Sequence, residues 1–249
     1  MQSVSYVEKE PDRFKRGRGW KVNLFGANSD VPKKDLQAFR IDMSAHMVLD
    51  SHFHIVDQFQ LFMAGSGTIG RDDAAGIVAH YADHHTGYGP LVAGAQGMSY
   101  LTLRPKTDAG LVKLSVPNVR EQLKPTKRRH RVSSKVVLSI PPVLQNRDDV
   151  AIETVMEERP GDDGMTSRVY RLGAKMEAEG PATEGTGGYY VIVMNGSLIR
   201  DGAEYEPWSL LWVSHHDSAP TLEAGEKGLE AMICVFPEQD EWMQKLGEE

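Results

Sequence analysis

One cysteine, Cys234, stands in 249 residues, so no internal disulfide can staple the fold. Its place in the apolar run AMICVF reads as a small core residue rather than a reactive thiol. No apolar run approaches the roughly 20 residues that a helical membrane span requires, which excludes an integral helical membrane protein. Behind the basic N-terminal stretch MQSVSYVEKEPDRFKRGRGW there is neither an apolar core nor a small-residue cleavage site. A secretory signal is therefore lacking, and a cytoplasmic location is the expectation. Net positive charge is lacking too: the formal charge is -7, which speaks against nucleic-acid or membrane-surface partners. The one dense basic island, KPTKRRHR from Lys124 to Arg131, reads as a solvated face. Long amphipathic helical patterns are also scarce. Three short pieces carry helical signals: VPKKDLQAF, VREQL and EQDEWMQKL, the last with acids leading and lysine following, as the helix dipole favours.

What the chain does have is strands. SYLTLRP, SKVVLSI, YYVIVMNGS and AMICVFP are short, rich in β-branched or aromatic residues, and bounded by Gly, Pro or Asp, so the protein is expected to be mainly β. Sliding the sequence against itself by 131 positions brings FQLFMAGS (from Phe59) over YVIVMNGS (from Tyr190). The same offset lays HHTGYGPLVAGAQGM (from His84) over HHDSAPTLEAGEKGL (from His215). One offset across both segments indicates two copies of a β module. The first is expected over residues 1–105 and the second over 133–249, with 106–132 as a proline-containing, charged linker. The shared glycines are expected to close strands (Gly65, Gly196) and to form Ala-Gly-x-x-Gly turns.

The chemistry-bearing segment is DSHFHIVDQFQLFMAGSGTIG. His52 and His54 are two apart on an expected strand, which puts both imidazoles on one face and Phe53 on the other, an arrangement suited to two ligands of one metal ion. Gln58 follows after three residues and Gly65 after six more. This spacing resembles the first motif of the cupin superfamily, with Gln58 standing where glutamate is usual.

The resemblance implies a fold of two tandem antiparallel jelly-roll β-barrels, a bicupin, with few short helices. It also implies one divalent ion (Fe, Mn, Ni, Cu or Zn) held by His52, His54, Gln58 and a histidine from a second motif. Asp57 is the alternative to Gln58, disfavoured by strand alternation. For the second-motif histidine, His80, His84 and His85 compete. At the 131-residue offset His52, His54 and Gln58 become Thr183, Gly185 and Tyr189, so the second copy lacks the motif, yet it keeps the His-His pair as His215-His216. A pair kept where the motif is absent is more simply structural. His80 maps to Leu211 and is the choice, with His85 in reserve.

Phe59, Gln60, Tyr81, Tyr88 and Arg104 are candidate pocket residues, Arg104 for an anionic substrate. Three imidazoles and an amide leave a bound ion its full charge, which favours small molecules that chelate through oxygen. The expected function is a metal-dependent enzyme, foremost an Fe(II) dioxygenase acting on a small oxygen-rich or aromatic molecule. The alternatives are a lyase, isomerase or hydrolase on the same scaffold, or a binding module without catalysis. In the second barrel Tyr189 and Tyr190 are expected to fill the ion's place, and Trp208 and Trp212 to share one strand face. Open sheet edges suggest a homodimer.

Overall fold

A computed structural model describes residues 1–247. The chain divides into two compact units, one built from Asp12–Lys135 and the residues from Asp240 onward, the other from Met1–Pro11 and Val136–Gln239. Each unit therefore takes one terminus from the far end of the chain. The segment read as a linker belongs to the first unit: Val112–Lys113 pairs with His52–Phe53, and His130–Val132 pairs with Val78–Ala82. Part of the basic island is structural as well, since Arg129 Nε donates to the buried Asp83 at 2.9 Å.

The first unit holds an antiparallel sheet in the order His130–Val132, Val78–Ala82, Gln58–Ile69, Leu91–Arg104, Gln37–Met43, Gly19–Phe25, Phe14–Arg16. Val78, Phe62, Tyr100 and Met43 share one hydrophobic cluster with Ile69, Leu91 and Met98. Behind the His-x-His segment a second, smaller cluster joins Val56 to Met243 and Leu246 around the short helix Glu241–Lys245, which Asp240 caps through Met243 N–H. That helix lies where EQDEWMQKL predicts one, and VREQL forms a single 3-10 turn, Val119–Gln122.

The helix expected in VPKKDLQAF does not form. Gln37–Met43 is a strand paired along its whole length with Met98–Arg104. Period two overrides the helical signal here: Gln37, Phe39, Ile41 and Met43 alternate onto the face that lines a cavity.

The second unit repeats the arrangement, with sheet order Gln2–Val4, Leu210–Val213, Thr186–Arg200, Thr221–Pro237, Thr166–Leu172, Ala151–Met156. Its three central strands correspond to those of the first unit at the 131-residue offset. The repeated glycines have a different role from the one expected. Gly65 and Gly196 lie inside long strands rather than at their ends, paired with Met98 and Leu229 beside β-bulges and close against the carbonyls of Gly97 and Gly228, and all four glycines have positive φ. Trp208 also departs from expectation: its φ is 77° and it precedes the strand Leu210–Val213, so it does not share a strand face with Trp212.

Among the described residues no helix is long and apolar enough to cross a membrane.

Candidate metal centre

Strand register sets the site. Gln60 pairs with His80 on one side and with Thr102 on the other, and Thr102 pairs with Phe39. These four side chains form one row across the sheet, with Gln58 and Arg104 at its edge. His52 and Tyr88 exchange both backbone hydrogen bonds, at 3.1 and 3.0 Å, which brings the loop carrying Tyr88 against the His-x-His segment. His52, His54, Gln58 and His80 are all buried. The Tyr88 ring lies among the three imidazoles, its centroid 4.6 Å from His52, 4.8 Å from His80 and 6.5 Å from His54.

The hydrogen bonds fix the tautomers. His52 Nδ1 lies 2.6 Å from the Asp50 carbonyl, which can only accept, so Nδ1 carries the proton and Nε2 offers a lone pair, met by the Tyr88 hydroxyl at 3.0 Å. His54 Nδ1 lies 2.6 Å from Asp108 Oδ2 and donates to it. Although burial acts to raise the Asp108 pKa, Arg104 and His54 bring it down to about 2, so this carboxyl only accepts. His80 Nδ1 donates to Gln60 Oε1 at 2.8 Å, and its Nε2 is buried with no hydrogen-bond partner. All three imidazoles are held neutral, foremost by burial. Arg104 adds to the effect at His54, whose pKa falls to about 4, and His130 adds to it at His80.

By donor type, three neutral imidazoles and an amide suit a divalent transition metal. Each imidazole is anchored through Nδ1–H to an oxygen and presents Nε2, the arrangement that outer acceptors impose on metal-binding histidines. The same lone pairs have rivals within the protein. Arg104 Nη2 lies 3.0 Å from His54 Nδ1 and 3.1 Å from its Nε2, the nitrogen with a free lone pair, and donates to Gln58 Oε1 at 2.8 Å, while Gln58 Nε2 donates to Tyr88. Among the described residues, no group of three or more His, Cys, Asp or Glu side chains is placed so that it could hold a metal ion as it stands.

The other candidates fall on either side of the sheet. Gln60 and Arg104 line a cavity of about 300 Å³ together with His52 and His54. Phe59 and Tyr81 pair across strands on the opposite face, their rings tilted against each other with centroids 4.8 Å apart, and the Tyr81 hydroxyl donates to Asp83. His85 lies on Phe53's side, its ring 5.7 Å from Phe53 and 4.8 Å from Trp242, and its Nδ1 is 2.9 Å from that of His84. In the second unit His215 and His216 are exposed in a turn.

Asp57 also faces away from the imidazoles, accepting from His84 N–H at 2.8 Å. Burial and the neighbouring Asp83 raise its pKa. An acid raised on folding holds extra protons in the native state, so its contribution to stability is complete below the ordinary aspartate pKa of about 4 and is lost as pH rises above it. Asp57→Asn keeps an acceptor for His84. The variant is expected to unfold at a higher temperature than wild type at pH 8, with the difference shrinking toward pH 4. A difference independent of pH would show that Asp57 does not titrate in this way.

Two site residues had no sequence signal strong enough to find them. Asp108 sits in the segment read as linker, held by Ile55 N–H and Gly110 N–H as well as His54. Lys21 reads as an outward polar position in GWKVNLF, yet it is buried and lines the cavity.

The second unit shows what this sheet face becomes without the site. Gln58, Gln60, His80, Thr102 and Arg104 correspond at the offset to Tyr189, Val191, Leu211, Ile233 and Val235, all members of one hydrophobic core. Tyr189 joins that core and donates its hydroxyl to the Pro181 carbonyl, whereas Tyr190 turns to the other face against Trp212, at 4.8 Å.

No family model and no curated protein matches the sequence. Solved structures do resemble the fold. A structure of oxalate decarboxylase from Bacillus subtilis is 11% identical and aligns over 96% of this chain and 76% of its own with a TM-score of 0.55, and another structure of an oxalate decarboxylase, also 11% identical, aligns over 96% of this chain and 77% of its own with 0.58. A candidate dioxygenase from Nostoc punctiforme is 10% identical, aligned over 90% of this chain and 78% of its own, with a TM-score of 0.54. At such identities the likeness speaks for architecture alone: the chain is a mainly antiparallel β protein with the cupin fold.

Proposed function

We propose that this chain is a bicupin whose first unit is a metal-dependent enzyme acting on a small anionic molecule, with His52, His54, His80 and Gln58 holding the ion. The observation that carries the reading is the common presentation of the three imidazoles: neutral, anchored at Nδ1, with the buried Nε2 of His80 left unpartnered. When bound, such an ion supplies Lewis acidity toward a chelating oxygen pair and, if iron, one-electron chemistry with O2. Fe(II) and a dioxygenase-type reaction are the first assignment, and redox-neutral lyase or isomerase chemistry the second. The fold neighbours include both an oxalate decarboxylase and a candidate dioxygenase.

The protein's own groups have separate tasks. Asp108 holds the His54 tautomer. Gln58, being neutral, leaves the ion's charge for the substrate. Arg104 and the ion compete for lone pairs of His54 and Gln58, so the guanidinium sets a threshold on metal affinity. One observation favours a second reading, a metal-free binding module: Arg104 already places a permanent cation on those two acceptors.

Elemental analysis after loading with Fe(II), Mn(II) or Zn(II) and gel filtration decides between the readings. Close to one ion per chain is expected. Asp108→Asn is expected to lower the affinity about 10- to 100-fold, the usual cost of losing such an anchor. Substoichiometric metal under every loading condition would leave the binding-module reading standing.

A further inference from the structure

The cavity is more strongly marked by cations than the metal reading requires. Lys21 and Arg104 lie against the same ring, with Lys21 Nζ 3.6 Å and the Arg104 guanidinium carbon 5.5 Å from the Phe39 centroid. Lys21 is 2% exposed, and its ammonium has Asn28 Oδ1 and the Phe39 face for company but, among the described residues, no carboxylate. Arg16, on the adjoining strand of the hairpin, lines the same cavity with its side chain exposed. Of the cavity's two carboxylates, Asp108 is committed to Arg104, at 3.4 Å, as well as to His54, Ile55 and Gly110, and Asp30 stands exposed at the rim, so neither balances Lys21.

A buried ammonium without a counter-charge is costly unless a ligand supplies one. Burial lowers the Lys21 pKa to about 7, and the two charges that act on it, Arg16 and Arg104, lower it further. Lys21 meets that row only at Phe39, its far end from His80. Its strand is three removed from Gln58–Ile69 in the sheet, roughly 14 Å along the sheet at the usual strand spacing. Between the two lie Phe39, Ile41, Met43 and Tyr100, an apolar wall.

From this arrangement we infer that Lys21 and Arg16 form a carboxylate subsite separate from the histidines, and that the substrate is an aromatic or otherwise apolar-bodied carboxylate lying along Phe39, Ile41 and Tyr100. The inference rests on the proposed function only in calling the ligand a substrate; the subsite itself does not depend on metal. It selects apolar carboxylates from the wider class of small chelating molecules.

The test is calorimetric titration of chelator-treated protein with benzoate, with its neutral isostere benzamide, and with acetate, which has the head group but no body. Benzoate is expected to bind at least tenfold more tightly than either. At pH 8 its binding should draw protons from the buffer as Lys21 becomes charged, seen as a binding heat that changes with the buffer's ionisation enthalpy. Lys21→Met is expected to bring the benzoate-to-benzamide ratio close to one and to abolish proton uptake. Arg16→Gln, at an exposed position where folding is not at stake, is expected to lower the ratio at least threefold. Equal binding of benzoate and benzamide by wild type would overturn the subsite, as would an undiminished ratio in Arg16→Gln or in a folded Lys21→Met. Because these titrations use metal-free protein, their failure leaves the metal reading untouched. An intact benzoate preference in a protein that retains no metal would overturn the metal reading alone.

Discussion

Replacing His80 by leucine and Gln60 by valine together is expected to make the metal-free protein more stable while abolishing metal retention. In wild type the buried His80 Nε2 has no partner, and an unmade hydrogen bond of this kind costs about 1–3 kcal/mol. Removing both members of the Gln60–His80 hydrogen bond leaves no new orphan, and the second unit already packs Val191 and Leu211 at the corresponding positions of its core. The gain is expected at about 2 kcal/mol, several degrees in Tm for a unit of this size. Metal content should fall from near one ion per chain to none. Thermal unfolding of chelator-treated wild type and double variant reads the first effect, and elemental analysis the second. A double variant that melts below wild type without metal would show that His80 is there for packing.

The second large effect concerns the bulges. A Cβ on Gly65 would lie 2.2 Å from the Gly97 carbonyl oxygen, and one on Gly196 2.0 Å from that of Gly228. Both contacts are with backbone on the partner strand, which no rotamer change relieves, and both residues have positive φ. Gly65→Ala and Gly196→Ala are each expected to cost roughly 3–5 kcal/mol, a large part of a domain's total stability. Gly17 is the control: its φ is also positive, at 59°, but an added Cβ meets nothing within 4 Å. Gly17→Ala therefore isolates the dihedral strain, about 1 kcal/mol. Urea unfolding of the three variants separates clash from strain, and equal losses in all three would refute the close-approach account.

The legible part of this protein was its repetition and alternation. The offset between the copies marks the three central strands of both units, because matching bulges need glycine at matching places. Two-residue alternation foretells that His52 and His54 turn one way and Phe53 the other. Comparing the copies also separates His80, replaced by Leu211 in a core, from the His84-His85 pair. What stayed hidden depends on contacts distant in sequence. Asp108 becomes an anchor only because Val112–Lys113 folds back onto His52–Phe53. Lys21 reads as solvent-facing because a strand pattern cannot tell water from a cavity. Gln37–Met43 carries a helical signal that pairing with Leu91–Arg104 overrules, since cross-strand partners outweigh weak local propensity.

The exchange of termini between the units bears on the order of assembly. As the chain leaves the ribosome, all strands of the first unit's large sheet are available once residue 135 has emerged, but the helix Glu241–Lys245 follows only after the whole of Val136–Gln239. That helix backs the His-x-His segment: Trp242 Nε1 donates to the Ile55 carbonyl, and Met243 packs on Val56. The second unit has the reverse timing, its edge strand Gln2–Val4 emerging before the first unit's strands and waiting for Leu210–Val213. Neither half is a complete folding unit when cut at residue 135, and the segment bearing His52 and His54 gains its backing only after the second unit's strands have emerged.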